Sequence, residues 1–146
     1  MNGPSLALDE SGNLHAVWST AGTVKEKPRF TSKSEPPFKV LYRRFDARTQ
    51  KWNAAVCLTS GTHPRVIVTP DGAPFVTWAD EGIMLAEITA DGAPAPLPVS
   101  NPERYSAYPS LALTSTGELL VSWQQREKDD SIQVYVAQVM RKERRG

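Results

Sequence analysis

Three of the four tryptophans in this chain sit in one frame. Pro4, Gly12 and Trp18 recur as Pro64, Gly72 and Trp78, and again as Pro109, Gly117 and Trp123, with the same eight- and six-residue steps each time. A spacing kept through three copies marks an internal repeat, and a repeat constrains a fold strongly because each copy must be able to take the same shape. Trp78 and Trp123 are 45 residues apart and Trp18 and Trp78 are 60 apart, so the first copy carries an insertion of 15.

Each copy reads as a set of short strands. Ser5 to Leu8, Arg65 to Val68 and Ser110 to Leu113 are short, mainly apolar runs entered from a proline, as buried first strands would be. A glycine turn follows in each, and at Gly12, Gly72 and Gly117 the tight reversal requires a positive φ. Second strands end on the tryptophans and carry apolar residues on both faces, which suits a sheet sandwiched between two others. Third strands are expected at Val40–Phe45, Ile83–Ile88 and Ile132–Val139. Fourth strands are expected at Ala55–Thr59 and, weakened by its prolines, at Ala95–Val99.

Four antiparallel strands per unit of about 45 residues is the signature of a β-propeller blade. The expected fold is therefore all-β, with three blades: 4–60, holding an inserted loop at 19–39; 61–100; and 101–140, which lacks its fourth strand. A basic tail, 141–146, follows. Three blades are a half ring, or a fragment, of a six-bladed propeller. An open arc would leave apolar faces at both ends, so the expected partner is a second copy in a homodimer, or the remaining blades of a longer chain.

Composition narrows the function. Seventeen Lys and Arg against sixteen Asp and Glu leave a net charge of +1, which recommends neither nucleic acid nor an acidic membrane as partner. A single cysteine, Cys57, excludes an internal disulfide framework and any multi-cysteine metal site. No apolar run approaches the roughly 20 residues of a membrane span, so a soluble protein is expected. No signal peptide is legible at Met1; export is expected if a leader was trimmed, and a cytoplasmic location otherwise. With two histidines and no phosphate-loop motif, neither a metal nor a cofactor is expected.

The stretch Val40 to Thr59 resembles the third-to-fourth-strand hairpin of sialidase-like propellers, the BNR or Asp-box superfamily, and the Pro-to-Trp repeats resemble that group's first two strands. The box, S-x-D-x-G-x-T-W, aligns with Phe45 to Trp52 and keeps only the tryptophan in place. In that group an arginine triad, a Tyr/Glu pair and an Asp acid/base are spread around the ring; none of them matches here residue by residue, so no catalytic residue is assigned.

In a propeller the loops joining strand four to strand one, and strand two to strand three, gather on one face. That face should carry Gly61 to His63, Asp80-Glu81, Glu103 to Tyr108, Asp129-Asp130 and the inserted loop around Arg29-Phe30. Arg104, Tyr105 and Tyr108 form the most binding-like cluster, because aromatic rings beside a guanidinium suit sugar faces, carboxylates or a protein hot spot. Arg65 and His63 are further ligand-binding candidates. His15, in mid-strand, reads as packing, and the repeated tryptophans read as wedges between blades. The function implied is a non-enzymatic binding or protein-interaction module with a glycan or protein ligand. The alternative is a sialidase-like glycoside hydrolase, or a fragment of one, because Asp80-Glu81 and Asp129-Asp130 offer paired carboxyls.

Overall fold

The computed structural model describes residues 3–21, 24, 27–30, 38–89 and 95–140. Among these residues twelve strands make three antiparallel sheets: β1 (Ser5–Leu8), β2 (Leu14–Thr20), β3 (Lys39–Asp46), β4 (Lys51–Trp52) and β5 (Val56–Ser60) in the first; β6 (Thr62–Val68), β7 (Pro74–Ala79), β8 (Ile83–Glu87) and β9 (Leu97–Pro98) in the second; β10 (Ser106–Leu113), β11 (Leu119–Arg126) and β12 (Ile132–Val139) in the third. Among the described residues there is no helix, hence none long and apolar enough to cross a membrane. The expected basic tail lies outside the described residues.

The three first turns are built alike. Gly12, Gly72 and Gly117 have φ of 83°, 86° and 84°. Their N–H groups donate to the carbonyls of Asp9, Thr69 and Thr114. At those same three positions a side-chain oxygen accepts from the backbone N–H four residues on, at Asn13, Ala73 and Glu118. A short oxygen-bearing side chain and a glycine three residues later are thus the sequence code of the turn.

Pro4 immediately precedes β1, as read, but the other two repeated prolines do not stand at strand entrances. Pro64 and Pro109 lie inside β6 and β10, at register shifts between Thr62 and Arg65 and between Ala107 and Ser110. Proline has no N–H to give to a ladder, and a bulge is where a strand tolerates that loss. The preceding residues, His63 and Tyr108, take left-handed φ of 54° and 55°.

Other boundaries also shift. The expected fourth strand of the first copy is found as β5, one residue further on, and an additional two-residue strand, β4, precedes it; both pair with β3. Asp46 organises the turn before β4, its Oδ1 accepting from the N–H groups of Arg48 and Thr49. The fourth strand of the second copy shrinks to the two residues of β9, since Pro96 and Pro98 remove donors on either side of Leu97.

The sheets stack face to face. One core lies between the first and second, joining Val17, Val40 and Leu58 to Val66, Val76 and Trp78. The other lies between the second and third, joining Phe75, Ile83 and Leu85 to Leu119, Val121 and Trp123. Trp78 and Trp123 are buried wedges, but Trp18 is only half-buried, because among the described residues no sheet covers the outer face of the first.

Part of the inserted loop, Arg29-Phe30, joins the first core. The N–H groups of Arg29 and Phe30 donate to the carbonyls of Cys57 and Leu58, and the Phe30 ring stacks on Trp78 at 6.0 Å and 9°. Arg29 and Phe30 therefore do not sit with the ligand-face loops: Phe30 is buried in the first core and the Arg29 guanidinium caps the Thr89 carbonyl.

Candidate functional site

A cleft of about 410 Å³ opens between the second and third sheets, where β7 turns into β8 and the chain leads into β10. Its polar and aromatic lining includes His63, Asp80, Glu81, Glu103, Arg104 and Tyr105. The volume lies in the range of small-molecule sites, about 300–1,000 Å³. Three segments distant in sequence, at Thr62-His63, Asp80-Glu81 and Glu103 to Ala107, are thus gathered at one place.

Backbone geometry makes the gathering possible. The turn from β7 to β8 closes with the Asp80 N–H on the Gly82 carbonyl, with Glu81 at φ 49°. Left-handed, non-glycine residues are uncommon and concentrate where the surroundings hold them for a purpose. His63 and Glu81 both line the cleft in that state, and Tyr108, also left-handed, packs its ring edge-to-face on His63 with centroids 4.8 Å apart. Burial, reinforced by the positive charge of Arg65, pushes the His63 imidazole below its ordinary range. At neutral pH it is therefore an uncharged ring, with its Nδ1 buried.

On the other side of the cleft, Tyr105 is 69% exposed, the Arg126 guanidinium lies 5.7 Å from its ring centre, and the Arg126 N–H donates to its carbonyl. Carboxylates that accept, a guanidinium that donates and an open aromatic face are the groups that grip a polyol: hydroxyls on the charges, the C–H face of the ring on the tyrosine.

Of the residues singled out by sequence, His63, Arg104 and Tyr105 line this cleft and Tyr108 abuts it. Arg65 does not line it; its Nη1 donates to the Pro64 carbonyl. Asp129 and Asp130 occupy a separate exposed turn, where Asp129 accepts from the Ser131 N–H and hydroxyl. Among the described residues no group of three or more His, Cys, Asp or Glu side chains could hold a metal.

A second polar cluster lies in the cleft of about 340 Å³ between the first and second sheets. His15, read from sequence as a packing residue, is buried with both ring nitrogens engaged: Nδ1 with the Tyr42 hydroxyl at 2.6 Å and Nε2 with Asp9 Oδ2 at 3.1 Å. The carboxylate can only accept, so Nε2 carries a proton. Burial pushes the Tyr42 phenol up to about 12. Burial also opposes ionisation of Asp9, but hydrogen bonds from His15 and Asn13 outweigh it and hold the carboxyl at about 2. No sequence pattern marks this cluster, because its members belong to a turn and two strands that meet only in the folded chain.

The lowered Asp9 value predicts an acid limb of stability. A carboxyl with a folded pKa below its unfolded one contributes stability above about pH 4, and that contribution disappears as the pH falls to about 2. The difference in urea midpoint between the parent chain and Asp9→Asn should be constant above pH 5 and shrink towards zero by pH 2. A pH-independent difference would show that the charge on Asp9 is not what the cluster uses.

No family model matches the chain, and no curated protein matches it. Among solved structures its fold is of the all-β kind found in sialidases and lectins. It is similar to "Hadza microbial sialidase Hz136", with a TM-score of 0.62 and 17% identity over 91% of this chain and 34% of that one. It is also similar to a fucose lectin from Kordia zhangzhouensis, solved in complex with methyl-fucoside, with a TM-score of 0.53 and 16% identity over 92% of both chains. The chain thus spans about a third of the sialidase and nearly the whole of the lectin. At these identities the likeness is one of fold.

Proposed function

We propose that this chain is a carbohydrate-binding module made of three blades of a sialidase-like propeller, acting without catalysis. The observation that carries the reading is the cleft between the second and third sheets, where His63, Asp80, Glu81, Arg104 and Tyr105 surround a volume suited to a small ligand. The likeness to a lectin chain matched over nearly its full length supports a binding role. Replacing Arg104, Tyr105 and Tyr108 together by alanine should weaken binding of glycan-array hits at least thirtyfold, about 2 kcal/mol, as measured by calorimetry. Unchanged binding would remove this face from consideration.

The second reading is a glycoside hydrolase, and the observation in its favour is that Asp80 and Glu81 line the same cleft. Fluorogenic sialosides and other glycosides separate the two. Turnover lost on Asp80→Asn would replace the binding module with an enzyme.

The arc has two unfinished ends, and they are complementary. Leu111 and Leu113 of β10 pack against the core facing the second sheet. Their counterparts in the first copy, Leu6 and Leu8, are 64% and 65% exposed. At the other end, Ala137 and Val139 of β12 face inwards while Ile132, Val134 and Val136, on the opposite face, are exposed. A second copy turned by 180° would set the leucines of each chain against the third sheet of the other, giving six blades and two identical seams. The remaining blades of a longer chain would cover the same faces.

A further inference from the structure

The cleft between the second and third sheets has a repeat-related twin. Advancing its second-sheet lining by the repeat length of 45 residues turns Thr62 and His63 into Ala107 and Tyr108, and Ala79, Asp80 and Glu81 into Gln124, Gln125 and Arg126. These five residues, with Tyr105 and Ile132, line a groove of about 220 Å³ on the outer side of the third sheet. It is half of the same site, lacking the sheet that would close it.

We propose that this groove is a second ligand site, completed across the seam by the first sheet of another copy and selective for saccharides that carry a carboxylate. The proposal rests on the ring closure argued above. By the repeat frame, Gly3, Pro4 and Ser5 of the incoming copy take the place that Tyr108, Pro109 and Ser110 take beside the second sheet.

The chemistry of the two sites differs by charge. Where the first offers Asp80 and Glu81, the second offers the exposed Gln124 amide and the guanidinium of Arg126, the one charged group in its lining among the described residues, while the Gln125 amide is buried and already bonded to Trp123 and Glu127. A guanidinium matches a carboxylate in plane and in charge, and amide and phenol groups supply the remaining contacts. Arg126 is held for this role by its backbone bond to Tyr105 and by the Tyr105 ring below it. The nearby Glu127 carboxylate does not line the groove and is engaged by Gln125 and Tyr135, both of which donate to it.

Methyl β-glucuronide and methyl β-glucoside, which differ at one carbon, test the assignment by calorimetry on the full chain, with sedimentation run alongside. The parent dimer should bind the glucuronide at least tenfold more tightly than the glucoside. Arg126→Glu, which copies the charge of Glu81, should erase that preference. The double variant Leu6→Asp/Leu8→Asp should lose glucuronide binding as it becomes monomeric, while retaining glycan-array binding at the complete cleft. A dimer with no preference for the acid overturns the second site and leaves the ring standing. A preference that survives in the monomer overturns completion by a partner. A parent chain that sediments as a monomer overturns the ring itself, and with it this site.

Discussion

Trp78→Ala should lower the unfolding free energy by about 3–5 kcal/mol, the cost of deleting a large aromatic side chain from a tight core. Trp78 is 1% exposed and is stacked on Phe30. It also meets the chain itself: a Cβ added at Gly61 would lie 2.7 Å from its Cδ1, so the backbone has closed on the ring and cannot readily collapse into the space it leaves. For a chain of this size the loss corresponds to roughly 6–20 °C in Tm. The informative comparison is with Trp18→Ala at the same repeat position. Trp18 is half-buried on an uncovered face, so its removal should cost about 1 kcal/mol in a monomer and more once that face is covered. Guanidinium unfolding of both variants decides the matter; equal losses in dilute monomer would mean that the neighbouring sheet does not set the cost.

That comparison also shows why some features are legible in sequence and others are not. The turns at Gly12, Gly72 and Gly117 could be read because each requirement is local and is stated three times. The sandwiched second strand β7 could be read for the same reason, since every copy places apolar residues on both faces, whereas β2 and β11 meet a sheet on one face only among the described residues. Phe30 could not, because its loop occurs once and its partner Trp78 lies 48 residues away. The His15 cluster was missed because its partners are fixed by register: His15 pairs with Arg44 across the first sheet, which puts Tyr42 on the same face two residues away. The candidate cleft lies between these cases. Of the loops expected to gather, Thr62-His63, Asp80-Glu81 and Glu103 to Ala107 do meet, whereas Arg29-Phe30 joins the first core. The repeat did not foretell that Asp129 and Asp130 turn outwards, because that connection is longer than the one holding Asp80 and Glu81 and makes its own turn with Ser131.

The second large effect is on assembly. The double variant Leu6→Asp/Leu8→Asp should convert the proposed six-bladed dimer into a folded monomer. Both leucines are almost two-thirds exposed in the single chain, so aspartate there costs the monomer little. In the ring the same carboxylates would be carried into an apolar seam against Ile132, Val134 and Val136, which are 57%, 71% and 64% exposed until covered. Burying each of the five apolar side chains of a seam contributes on the order of 1–2 kcal/mol. Ring closure forms two seams for one loss of translational and rotational freedom. Aspartate removes the leucine contribution from both seams and adds a desolvation cost at each, so dimer dissociation should be at least a thousandfold easier, about 4 kcal/mol. Sedimentation at several micromolar concentrations should give twice the chain mass for the parent and a single chain for the variant, with the two unfolding at similar denaturant concentrations when both are dilute. A parent chain that remains a cooperatively folding monomer of 16.1 kDa at those concentrations would exclude the two-chain ring, and the open faces would then belong to contacts with the further blades of a longer protein.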